Sequence, residues 1–392
     1  MHITVLFGAC VALATTVAQA ESVIHSAILR VDTAGLPPIS RLDLPPADLG
    51  LAGARLATDD NATTGRFTGQ SFVTEEFVAT PETAAATLET ALAGGAQFIV
   101  TLADDAVTLR LADQAGTRAV ILNAGARGDQ LRGKDCRANV LHVTPSHAML
   151  ADALAQFLLW KRWDRWFLIV GSHPEDQALA AAYRNAARKF GAKIVEERLF
   201  EDTGGARRTD TGHVQVQKQM PVFTQSAPNH DIVLAADEAD IFAEYLPYHT
   251  WDARPVAGSA GLMPRAWHPA LEAWGATQFQ NRFEALSGRR MRDEDYLVWL
   301  ALRIVGESAT RAQTGELAPL RDYIFGPSFE IAAFKGQRLT LRDWDHQLRQ
   351  PILLATDALM VSVSPQDAYL HQVSQLDTLG QDRPETACSL VK

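Results

Sequence analysis

Between residues 23 and 199 the chain alternates short apolar runs of strand length with longer stretches whose apolar residues recur every three to four positions. The strand-like runs cover residues 23–31, 71–78, 98–102, 119–123, 166–171 and 193–199. Helical patterns fill the gaps at 46–61, 81–93, 104–114, 146–160 and 174–190. A strand that is followed by a helix of this length rejoins its sheet as a parallel neighbour, since an antiparallel one needs only a tight turn. The alternation therefore predicts βαβ units, parallel sheets and an α/β fold.

One sheet does not account for the whole chain. The stretch "LHVTPSHAML" (141–150) interrupts the series, after which strand and helix patterns start afresh. A later helical pattern at 295–311 carries Leu297, Leu300, Ala301 and Ile304 on one face. At 392 residues the chain also exceeds what one core usually serves. Two α/β lobes joined by several crossings fit this organisation. Residues 201–230, rich in Gly, Thr and Arg, read either as a mobile surface loop or as a lid over a cleft between the lobes.

Composition narrows the partners. A formal charge of −10 with no block of Lys or Arg argues against nucleic acid and against an anionic membrane surface. The first twenty residues, "MHITVLFGACVALATTVAQA", have an apolar centre and end in Ala18-Gln19-Ala20, a small-x-small pattern; they read as a secretory signal peptide, residues 1–20, and imply export. No other apolar run reaches the roughly 18 residues that span a bilayer. Cleavage would leave Cys136 and Cys388, which in an oxidising compartment either pair and tie down the tail or remain two free thiols.

Signatures of catalysis are missing: HExxH, GxSxG, GxxxxGK[ST] and GxGxxG do not occur, and the eleven histidines show no metal-finger spacing. The chain is not expected to be an enzyme. What stands out instead is Asp104-Asp105, placed where the strand at 98–102 turns into a helix. One aspartate is explained as a helix cap, worth roughly 0.3–1 kcal/mol. The second calls for solvent or a cation.

The order of elements resembles the type I periplasmic solute-binding proteins of ABC transporters, the branched-chain amino acid and amide group. "LGLAGARLATDDNATTGRFTGQ" (49–70) looks like that group's first helix and the turn after it, "WFLIVGSHPEDQALAAAYRNAARKFGAKIVEERLF" like the opening strand-helix-strand of its second lobe, and "WGATQFQNRFEALSG" and "DYLVWLALRIVGESATRA" like the return to the first. The resemblance implies two lobes, each a mainly parallel sheet flanked by helices: lobe 1 at 21–145, lobe 2 at 146–270, a return to lobe 1 at 271–334, a crossing segment completing lobe 2 at 335–375, and a tail at 376–392. It further implies periplasmic location, an ABC permease and ATPase as partners, and a small ligand closed between the lobes.

"LRGKDCRANVLHVTPS", "DTGGARRTDTGHVQVQKQMPVFTQ" and "HDIVLAADE" resemble more narrowly the substrate-binding proteins associated with PQQ-dependent alcohol oxidation, some of which are linked to lanthanide uptake. Ligands of such folds sit beyond the carboxyl ends of the strands. Matched by position, the resemblance implies Asp104, Asp105, Asn123, Gly125 and Arg127 from lobe 1 and Glu175, Asp237 and Glu238 from lobe 2 as ligand-binding. One arginine against five acids suits a cation better than an amino acid, and a lanthanide or calcium ion on Asp104, Asp105, Glu175 and Asp237 is the metal-ligand expectation. Arg207 and Arg208 would reverse that field if their loop entered the cleft. The competing expectations are a ligand sensor and an accessory factor for maturation of the alcohol dehydrogenase.

Overall fold

The computed structural model describes residues 22–35, 38–40, 43–203 and 215–390. The expected signal peptide, with Cys10, and the arginines Arg207 and Arg208 lie outside the described residues.

The first lobe runs β1 (Ser22–Val31), α1 (Leu51–Thr68), β2 (Gln70–Ala79), α2 (Ala84–Ala93), β3 (Phe98–Leu102), α3 (Asp105–Ala115), β4 (Val120–Asn123) and β5 (Val140–His142). Its five strands pair in parallel in the order β2-β1-β3-β4-β5. The central strand β3 is buried at all five positions because helices cover both faces of the sheet. Alternate residues feed separate cores: Ile24, Ile28, Phe98 and Val100 face α1, while Ala27, Leu29 and Ile99 face α2 and α3.

The second lobe runs α4 (His147–Trp160), β6 (Arg165–Gly171), α5 (Pro174–Phe190), β7 (Lys193–Phe200), α6 (Val216–Thr224), β8 (Ile232–Ala236), α7 (Leu246–His249), β9 (Val256–Gly258) and β10 (Met263–Arg265). Its parallel sheet has the order β7-β6-β8-β9. The chain then returns to lobe 1 with α8 (Ala276–Ser287), α9 (Asp293–Ala312) and α10 (Leu317–Ile324), of which α8 and α9 pack on α1. A short ladder of β11 (Ile331–Ala332) and β12 (Arg338–Leu339) follows. His142 of β5 and Gln347 form a parallel bridge at the lobe 1 sheet edge before β13 (Ile352–Ala355) and β14 (Met360–Ser364) form an antiparallel sheet with β10 against α4.

Two boundaries differ from the sequence expectation for physical reasons. Helix α1 starts at Leu51, not near Pro46, because Gly50 (φ 77°) breaks the path and its N–H is capped from afar by Asp295 Oδ1 at 2.8 Å. It also runs on to Thr68, past the expected end at 61, and Asn61, buried inside it, donates to the Leu302 carbonyl at 2.9 Å and clasps α1 to α9. Within the expected loop 201–230, residues 216–224 are helical, with Val216 and Met220 in the lobe 2 core. The signal missed was the spacing of those two residues, masked by Pro221 inside the helix.

The tail spans both lobes. Leu379 is buried against Met149 of α4, Gly380 N donates to Asp152 Oδ2 at 2.8 Å, and Lys189 Nζ donates to the Thr378 and Gly380 carbonyls. Beyond them Cys388 is disulfide-bonded to Cys136 in the β4–β5 connection of lobe 1. Of the two states the sequence left open for these cysteines, the structure holds the paired one. Among the described residues no helix is long and apolar enough to cross a membrane.

Candidate functional site

In parallel sheets, loops at the carboxyl ends of strands carry the binding groups. The first such loop follows β3. Asp104 is the N-cap of α3, accepting from Val107 N at 2.8 Å. Asp105 reaches sideways: its Oδ1 accepts from Gly128 N at 3.0 Å and its Oδ2 from Gln130 Nε2 at 2.8 Å. The second aspartate thus fastens the β3 loop to the loop after β4.

That second loop is built around Asn123, fully buried, whose Oδ1 accepts from the N–H groups of Gly125 and Ala126 and whose Nδ2 donates to the Ala126 carbonyl. Gly125 lies against the Ala103 backbone so closely that a side chain there would collide with it. Beneath the loop Arg132 is buried and donates to the carbonyls of Ala126, Gly128 and Thr144 and to Gln347 Oε1. Burial pulls its guanidinium down to about 10. These contacts hold Arg127 at the loop's tip.

Lobe 2 supplies the loop after β8. Asp237 is buried and accepts from Ile241, Phe242 and Ala243 N–H at 2.7–2.8 Å, so its carboxylate folds the loop on itself. Asp176 on α5 accepts from Ala239 N at 2.9 Å and His173 N at 3.1 Å; burial, with Asp237 adding to it, raises its carboxyl to about 6. Glu175 is exposed on the first turn of α5. Glu238 remains, pointing to the other lobe.

There the two lobes meet. Glu238 Oε1 lies 3.5 Å from Arg127 Nη1 and 3.3 Å from His147 Nε2 at the start of α4. Asp293 Oδ2, at the start of α9, lies 4.0 Å from Arg127 Nη2 while its carboxylate accepts from Trp267 N at 2.7 Å. Burial alone would raise the Glu238 carboxyl; His147 and Arg127 reverse this and hold it at about 2. Burial likewise lowers the Arg127 guanidinium, but Glu238, Asp293 and Glu294 outweigh it and raise its pKa. Glu294 is raised by burial and by Asp293, against the pull of Arg127.

Of the eight residues expected from the sequence, the structure therefore brings Arg127 and Glu238 face to face. Asp104, Asp105, Asn123 and Asp237 give their polar atoms to neighbouring backbone and loop groups. His147, Asp293 and Glu294 were missed. The acidic run Asp293-Glu294-Asp295 at a helix start was the available signal, since such runs cap helices and face whatever the N-terminus faces. Among the described residues no group of three or more His, Cys, Asp or Glu is arranged to hold a metal ion.

The chain matches, over residues 46–356, the family model described as periplasmic binding protein. No curated protein matches it. Among solved structures it is similar to a branched chain amino acid ABC transporter periplasmic ligand-binding protein from Burkholderia xenovorans LB400, with 13% identity, a TM-score of 0.73, and coverage of 94% of this chain and 100% of that one. It is similar also to a leucine-, isoleucine-, valine-, threonine-, and alanine-binding protein from Brucella ovis in closed conformation, with 17% identity, a TM-score of 0.69, and coverage of 90% and 98%. A solute-binding protein of an ABC transporter from R. palustris in complex with benzoate gives 12%, 0.67, 94% and 99%. At such identities the likeness speaks for the two-lobed fold, while the family model spans most of the chain: it belongs to the periplasmic binding proteins.

Proposed function

We propose that the protein is the solute-binding component of an ABC transporter and that its ligand is a small zwitterion, taken between Arg127 and Glu238 as the lobes close. The approach of these two side chains across the lobes carries the reading. A planar guanidinium is the complement of a carboxylate, and an ionised glutamate that of an ammonium group. Both ends of an amino acid would then replace the contact the protein makes with itself. The Brucella protein, which binds amino acids by its description, and the R. palustris protein, which holds benzoate, share a carboxylate-bearing ligand.

The hydrogen bonding speaks for this over the cationic ligand expected from the sequence. Asp104, Asp105 and Asp237 direct carboxylate oxygens to backbone N–H groups, so the field at Arg127 comes from Glu238, Asp293 and Glu294. The association with PQQ-dependent alcohol oxidation, and the lanthanide or calcium ligand attached to it, rest on the three segments quoted above. An ABC permease with its ATPase is the partner that accepts the closed form, in the periplasm.

The test is a thermal-unfolding screen of the exported chain against the common amino acids, benzoate, calcium chloride and lanthanum chloride. A ligand present at a hundredfold its dissociation constant adds about 2.7 kcal/mol of stability, so the proposal expects a rise of several degrees with at least one amino acid. A rise with lanthanum or calcium alone would overturn it in favour of the metal ligand.

A further inference from the structure

The chain leaves lobe 1 for lobe 2 through residues 143–146 and again through 346–351, and the two segments run side by side. Hydrogen bonds join them: His142 N donates to the His346 carbonyl and Leu348 N to the His142 carbonyl, both at 2.9 Å, and Gln350 Nε2 donates to the Val143 carbonyl at 2.6 Å. Rotation of one lobe against the other is absorbed by such connecting residues. Gln347 sits among them, 1% exposed, with both ends of its amide bonded. Its Nε2 donates to the carbonyls of His142, Thr144 and Leu348 at 3.0, 3.1 and 3.2 Å, while its Oε1 accepts from Arg132 Nε at 2.9 Å. The amide has one orientation, because turning it round would set its oxygen against three carbonyls.

Arg132 carries the connection onward. Its Nη1 donates to the carbonyls of Ala126 and Gly128 at 2.8 and 3.0 Å, so the residues on either side of Arg127 are held by one nitrogen. Its Nη2 donates to the Thr144 carbonyl at 2.9 Å. A guanidinium is rigid and planar, so a displacement at Nε is passed to Nη1 and Nη2. We propose that Gln347 is a positioning residue for Arg127: acting through Arg132, it ties the segments on which the lobes turn to the place of the Arg127 side chain opposite Glu238. The inference rests on the reading of Arg127 and Glu238 as the ligand's partners, and it adds control of that site by the hinge. Without the amide the buried Arg132 Nε has no acceptor; the guanidinium shifts to regain one and gives up the carbonyls that flank Arg127.

The experiment is a double-mutant cycle of Arg127→Met and Glu238→Gln, read by thermal unfolding of the full exported chain at neutral pH in the wild type, Gln347→Met, Arg132→Lys and Gln350→Met. Two residues in contact shift the unfolding temperature by amounts that do not add. Such non-additivity is expected in the wild type and is expected to be lost in Gln347→Met. It is expected to be lost also in Arg132→Lys, whose single-point ammonium cannot hold Gln347 and both flanking carbonyls, and this variant keeps the result readable should Gln347→Met fail to fold. Gln350→Met removes a bond between the same two segments but leaves Arg132 untouched, so the non-additivity should survive there, which a merely structural role for the hinge amides would not allow. Non-additivity that survives in Gln347→Met or Arg132→Lys overturns the proposal, as does its loss in Gln350→Met. Shifts that already add in the wild type overturn it together with the Arg127–Glu238 contact on which it rests. The cycle needs no ligand, so a failure of the amino-acid reading shows in the thermal-unfolding screen and is told apart.

Discussion

The backbone N–H of His147 donates to the carbonyl of Arg127 at 3.0 Å, and the two side chains then converge on one carboxylate, Glu238, from 3.3 and 3.5 Å. The end of the lobe 1 loop and the start of the first lobe 2 helix are thereby fixed to each other. A charge on either lobe at this point is felt by both.

The first prediction concerns acid. The Glu238 carboxyl has its folded pKa lowered from 4.5 to about 2. Its contribution is fully present above 4.5 and is lost as the pH falls toward 2. Thermal unfolding of wild type and Glu238→Gln is expected to differ by a constant amount above that window and to converge within it. Parallel curves through the whole acid range would show that the contact is not formed in solution.

Glu244 has the opposite sign. Burial, then Asp357, Asp240 and Asp43, raise its carboxyl from 4.5 to about 7. A raised carboxyl withdraws stability as the pH rises through that interval, because the charged form is disfavoured in the folded state. Wild type should therefore lose more of its unfolding temperature than Glu244→Gln between the two values.

The bond between Cys136 and Cys388 closes a separation of 252 residues. Constraining the unfolded chain over such a span is typically worth about 2–4 kcal/mol. The double variant Cys136→Ser/Cys388→Ser should unfold at correspondingly lower denaturant, and the tail beyond Gly380 should become the first site of proteolysis.

Asn61→Ala tests the clasp between α1 and α9. It strips the Leu302 carbonyl of its side-chain donor and removes the contact with Arg303, in a place where Gly306 packs directly on Asn61. A loss of about 1–3 kcal/mol in denaturant unfolding is expected from the unsatisfied buried groups. A neutral result would mean that the helices repack.

Strands β1 to β4, β6 and β7 were legible as short apolar runs and the helices between them by their three-to-four-residue period, while β5, β8 and β9 were not read as strands. Residues 98–102 and 174–190 read from the sequence with the bounds the structure gives them, since strand β3 is apolar throughout but for Thr101 and α5 opens on Pro174 and closes before Gly191. That one aspartate of the pair 104–105 caps the helix was legible for the same local reason; the structure makes it Asp104. The site was not, because its residues are decided by distant partners. Asp105 and Asp237 look like free acids in the chain, yet Gly128 and the 241–243 backbone consume them. His147 and Asp293 look like helix starts until Arg127 is brought beside them.

The most direct measurement is a crossed calorimetric titration. Wild type, Arg127→Met and Glu238→Gln are each titrated with L-leucine, with 4-methylpentanoate, which lacks the amino group, and with 3-methylbutylamine, which lacks the carboxylate. Leucine is expected to bind the wild type, Arg127→Met no longer to distinguish leucine from the amine, and Glu238→Gln no longer to distinguish it from the carboxylate. Binding of leucine that both variants leave unchanged would contradict the placement of the ligand between Arg127 and Glu238.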